Sequence, residues 1–197
     1  EGRLFRLTPK VLELGFAYLS SLPVWSRAQP IMESLVEELR QSCSVAVLDG
    51  DEIVYVLRVP AHRIMSINLG VGSRLPADCT AMGRVLLAGL PDDTLQERVA
   101  AVKLEPHTSA TIVDRDALLA EIRQVRVQGW SLVCEELEPG LVSVAAPIRS
   151  PDGRVVAAVN VSGHARSITS DHLIKVCLPR LLAAAAKINM TTGQRPV

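Results

Sequence analysis

Apolar residues recur at helical spacing along some stretches of the chain and alternate with polar ones along others. Val11, Leu12, Leu14, Ala17, Tyr18 and Leu19 mark a broad face of one helix, which Thr8 caps and Pro9 opens. Ser20-Ser21-Leu22-Pro23 ends it. A second helix is expected from about Ser26 to Arg40, burying Ile31, Leu35, Val36 and Leu39 and turning Glu33, Glu37 and Glu38 outward, with Pro30 in its first turns. CSVAVLD and EIVYVLRV then flank Gly50-Asp51 as a hairpin, and Arg63 to Leu69 reads as a third strand. Helices follow over about Thr80–Ala88, Asp92–Val102 and from Asp114 to Gly129, where Asp114 is the cap and Gly129 the stop. Trp130–Cys134, Leu141–Arg149 and Arg154–Ser162 read as strands, the last two joined by Ser-Pro-Asp-Gly. A final helix starts at Thr169 or Ser170 and is bent or interrupted at Pro179. Hairpins separated by a block of helices indicate an α+β fold, an antiparallel sheet of about six strands covered by helices.

Alternation along the late strands sets Leu141, Ser143 and Ala145 against Val142, Val144 and Ala146, and Ala158, Asn160 and Ser162 against Ala157, Val159 and Val161. Ser143, Asn160 and Ser162 are therefore polar residues among apolar neighbours. They either bond backbone, bridge a water, face solvent or hold a ligand, because an unpaired buried polar group costs about 1–3 kcal/mol. The segment Leu75–Ala88, LPADCTAMGRVLLA, offers a second feature. Asp78 or Thr80 can cap the helix, and the small residues Cys79, Ala81 and Gly83 let an anion approach its unpaired amide N–H groups.

Composition narrows the classes. Across 197 residues 48% are hydrophobic, enough for a substantial core, and the scarcity of aromatics makes that core aliphatic. Lys+Arg and Asp+Glu both total 21, so there is no basic excess of the kind a free-standing DNA-binding domain carries. No long uninterrupted apolar run or leader pattern points to a membrane. The widely spaced Cys43, Cys79, Cys134 and Cys177 fit reduced cytoplasmic thiols better than a disulfide framework or a zinc site, so neither metal nor cofactor is expected.

LPADCTAMGRVLLA, taken with GWSLVCEELEPG, AAPI and VAAVNVSG in that order, resembles the effector-binding domain of the IclR family of bacterial transcription regulators. The resemblance runs from about Leu7 to the helix ending near Asn189. RIMSINLGVGSRLP and TAMGRVLLA are similar to the branch that controls protocatechuate and β-ketoadipate catabolism. It implies a GAF-like sensor domain with an N-terminal linker helix. Residues 1–22 are then the end of a wing strand and the linker helix of a missing winged helix-turn-helix domain, 23–190 the effector domain, and 191–197 a frayed tail. By motif the ligand positions are Ala81, Met82, Val133, Leu141, Ser143, Asn160 and Ser162. Arg63, among Arg58, Arg63, Arg74 and Arg84, is the favoured cation for a carboxylate. The implied partners are a small organic acid such as protocatechuate or β-ketoadipate, a second copy in a homodimer that can pair into a tetramer, and operator DNA through the missing domain. The alternative is a small cytoplasmic enzyme with Cys79 as nucleophile and His62 or His107 as base. Glu135-Glu136 reads as a charged loop or strand end.

Overall fold

In a computed structural model, residues 6, 8–20, 24–61 and 69–192 are described. The wing strand, the strand expected over Arg63 to Leu69 apart from Leu69 itself, and most of the tail lie outside them. Helix α1 (Val11–Ser20) is followed by α2 (Val24–Leu39), then the hairpin β1 (Ser42–Asp49) and β2 (Glu52–Val59), and a short β3 (Arg74–Pro76). Helices α3 (Ala81–Ala88), α4 (Asp92–Ala101) and α5 (Arg115–Gln128) precede β4 (Ser131–Cys134), β5 (Leu141–Arg149) and β6 (Val155–His164). The chain closes with α6 (Ser170–His172), a π-helical turn (Leu173–Cys177) and α7 (Leu178–Thr192).

The strands form one antiparallel sheet in the order β3-β2-β1-β6-β5-β4. Period-two alternation gives that sheet two apolar faces. Val45, Val142, Val144, Ile148, Val159 and Val161 pack under α2 and α7, with Met32, Leu181 and Ile188 filling that layer. Ala46, Ile53, Ala145 and Ala158 face the opposite way, against α3, α4 and α5 through Val85, Leu95 and Ile122. The expected α+β fold is what forms, with helices on both faces.

Local chemistry explains the element ends. Asp114 accepts the Ala117 amide at 2.8 Å, and Gly129 takes the left-handed conformation that stops α5. Gly153, also at positive φ, turns Ser150 back onto Arg154. The final helix is interrupted by a departure from α-geometry in the turn before Pro179. Proline has no N–H and its ring crowds the carbonyl one turn back. The Leu178 amide accordingly reaches the Leu173 carbonyl, five residues away.

Candidate functional site

Helix α3 is placed by its first turn. Thr80, not Asp78, is the N-cap: its hydroxyl accepts the Gly83 amide at 3.2 Å and donates to the Pro76 carbonyl at 2.8 Å. The amides of Ala81 and Met82 have no hydrogen-bond partner among the described residues. Gly83 lets α3 sit directly on the preceding turn. A Cβ there would lie 2.1 Å from the Ala77 carbonyl oxygen.

Behind the cap sits a buried ion pair. Arg84 is 1% exposed and forks onto Glu136, Nη1 to Oε1 at 2.8 Å and Nη2 to Oε2 at 2.5 Å, while its Nε donates to the Asp78 carbonyl. Glu136 is a loop charge, as expected, but not a solvated one. It lies in the loop between β4 and β5, buried and paired, and also accepts the Ile112 amide. Its neighbour Glu135 adopts positive φ and accepts the Gly140 amide.

The N-terminus of α3 opens onto a cavity against the sheet. All of the ligand positions expected by motif line it: Ala81, Met82, Val133, Leu141, Ser143, Asn160 and Ser162. Arg63 falls outside the described residues. Sequence reasoning did not nominate Tyr55, Leu75 or Leu137, which line it too, and passed over Arg58, which also does; Cys79, singled out for its small size and as a nucleophile, lines it as well. Arg74 and Arg84 do not reach it: Arg74 is held at the surface by Asp49 and Glu52, and Arg84 is consumed by Glu136.

Polar groups on the cavity floor are linked across the sheet. Arg58 Nη1 donates to Ser44 Oγ at 3.2 Å, and the Ser44 amide to Asn160 Oδ1 at 3.0 Å. Asn160 Nδ2 then donates to Ser143 Oγ at 3.0 Å, and Ser143 Oγ to the Val161 carbonyl at 3.3 Å. Asn160 and Ser143 thus already have protein partners, and Asn160 keeps one amide hydrogen uncommitted. Ser162, 7% exposed, has a hydroxyl with no partner among the described residues. The cavity encloses only about 30 Å³, room for a water or two. A ring-sized guest requires lining side chains such as the unbranched Met82 to move. A larger groove of about 600 Å³ lies beyond the other end of α3, but there Arg126 and Arg154 are occupied by Asp92 and Asp152.

Burial, with Asp78 and Glu136 nearby, pushes the Cys79 thiol up to about 12, away from the thiolate that a nucleophile needs. His107 is exposed and makes no hydrogen bond to it, and His62 lies outside the described residues. Among the described residues no cluster could hold a metal ion and no helix is long and apolar enough to cross a membrane.

Comparison with known proteins identifies the family and the fold. Residues 16–190 match the family "Bacterial transcriptional regulator IclR C-terminal". The Pca regulon regulatory protein of Pseudomonas putida is 46% identical over 94% of this chain, which spans 64% of that protein's length. A structure assigned as a transcriptional regulator from Rhodococcus sp. RHA1 superposes with a TM-score of 0.89 at 48% identity, covering 94% of this chain and 76% of that one. The double mutant of the PobR inducer-binding domain from Acinetobacter, in complex with 3-hydroxybenzoic acid, superposes at 0.79 with 30% identity, over 84% of this chain and 97% of that one.

Proposed function

This chain belongs to the IclR family of bacterial transcriptional regulators, and on that premise we propose that residues 23–190 bind a small organic acid effector and report its presence to a DNA-binding domain. One observation carries the reading. Two amides without a partner among the described residues, Ala81 and Met82, open α3 at a buried cavity where the Ser162 hydroxyl also lacks one among them. A helix N-terminus favours negative charge, so a carboxylate seats there with Ser162 and the free Asn160 hydrogen beside it. The 3-hydroxybenzoic acid complex of the PobR domain supports an aromatic acid, and the likeness to the Pca regulon regulatory protein goes with the motif resemblance to the branch that controls protocatechuate and β-ketoadipate catabolism. No observation favours a catalytic step, and we read the domain as a cytoplasmic sensor without turnover. Operator DNA is contacted outside residues 1–197, whose formal charge sums to zero.

Effector binding shifts an equilibrium between arrangements of the domain and α1. Leu12, Leu14 and Phe16 on α1 are each at least 70% exposed, and such a face fits pairing with a second copy. That dimer is the minimal unit of the proposed sensor. Calorimetry with protocatechuate and β-ketoadipate tests the reading: saturable heat with unchanged ligand is expected, and product formation or silence from both acids contradicts it. Sedimentation equilibrium on the same samples at micromolar concentration should give a dimer mass. A monomer mass throughout contradicts the pairing.

A further inference from the structure

The pairing of β1 with β2 skips one residue: Val45 faces Leu57 and Ala46 faces Tyr55, so Val56 is bulged out. Without the bulge Tyr55 and Arg58 would point to opposite faces. With it, both line the cavity. The Arg58 guanidinium spends one N–H on Ser44 and has no carboxylate partner among the described residues. The Tyr55 hydroxyl beside it also lacks a partner among them. Burial pushes that phenol up to about 12, against the opposing pull of Arg58, so it stays protonated and able to donate.

This donor cluster is distinct in position from the α3 N-terminus. Arg58, Ser44 and Asn160 are in register on β2, β1 and β6, which puts the Arg58 backbone roughly 10 Å from that of Asn160, two strand spacings away. Helix α3 packs chiefly over β5 and β6. The cavity therefore has one anion-attracting pole at Ala81 and Met82 and a second at Arg58 and Tyr55. Leu69, Leu75, Leu137 and Leu141 make most of the remaining lining apolar. A single carboxylate neutralises one pole and leaves the other, an unmatched half-buried guanidinium whose planar fork suits a second carboxylate.

We propose that Arg58 is the specificity-determining residue of this pocket: it pairs with a second acidic group of the effector, so the site prefers a small organic diacid over the monoacid of the same size. This rests on the effector reading above, which requires only the α3 pole.

Matched acids separate the two. Calorimetry compares adipate with hexanoate and terephthalate with benzoate, on wild type, Arg58→Gln and Arg58→Lys, with thermal denaturation confirming that each variant folds. Wild type should bind a diacid about tenfold or more tighter than its monoacid partner, the worth of one hydrogen-bonded charge. Arg58→Gln should erase that preference, bringing the diacid and monoacid affinities to within about twofold of each other. Arg58→Lys keeps the charge without the fork and should retain part of it. Equal weakening of diacid and monoacid in Arg58→Gln overturns the inference, since Arg58 then holds the shared carboxylate while the effector reading stands. A wild type without diacid preference overturns it too. Failure of all four acids to bind wild type overturns the effector reading and this inference with it.

Discussion

Replacing Glu136 with alanine should lower the folding stability of this domain by about 3–5 kcal/mol, the cost of leaving a buried charge without its partner. Arg84 is 1% exposed, and both of its terminal nitrogens are spent on Glu136. Once the carboxylate is gone, the guanidinium keeps only its Nε bond to the Asp78 carbonyl and a distant Glu121 at 4.0 Å. Such a loss is a large part of the total stability of a domain this size, roughly 5–15 kcal/mol. The pair also ties α3 to the loop leading into β5, so the variant should bind effector poorly even where it folds. Replacing both partners by apolar residues of similar volume should recover much of the stability, because it removes the stranded charge. Urea denaturation of the single and double variants checks this. A loss below about 1 kcal/mol for Glu136→Ala would mean that the pair behaves as a surface ion pair, contrary to its burial.

Gly83→Ala should be the second severe change, and its sign is diagnostic. Inside a helix alanine is ordinarily better than glycine by about 1 kcal/mol. Here the added methyl meets the Ala77 carbonyl oxygen at 2.1 Å and the Ala77 Cα at 2.4 Å, both backbone atoms that no rotamer change can move. Helix α3 must lift off the turn at 77–80, at a cost on the order of 3 kcal/mol. The same movement turns the Ala81 and Met82 amides away from the cavity, so effector affinity should fall with stability. Thermal denaturation and calorimetry read the two effects. A stabilised variant, as helix propensity alone predicts, would contradict the close approach.

Much of the fold was legible because periodicity and caps are local signals. Alternation in Leu141–Arg149 and the Asp114 and Gly129 signals around α5 each led to an element within a residue or two of the observed one. The same alternation, with the family motifs, also pointed to a set of residues that the structure brings to one cavity. What escaped depends on contacts distant in sequence. The face of Arg58 is decided by the bulge at Val56, which exists only in the pairing with β1, so plain alternation of EIVYVLRV misplaces it relative to Tyr55. Likewise nothing near Arg84 announces that Glu136, 52 residues on, consumes its charge, and the guanidinium was weighed as a ligand contact instead. Short β3 has too few residues for any period to register.

The central claim is that an organic acid seats its carboxylate on the first two amides of α3. Amide-resolved nuclear magnetic resonance of the 15N-labelled domain, titrated with protocatechuate, tests it most directly. The Ala81 and Met82 amide protons should show the largest downfield shifts, as expected when an unpaired N–H gains an anionic acceptor, with Ser162 and Asn160 following at the same ligand concentration. Saturable binding that leaves Ala81 and Met82 unmoved while Val125, Arg126 and Val156 respond would put the acid in the groove at the far end of α3 and contradict the account.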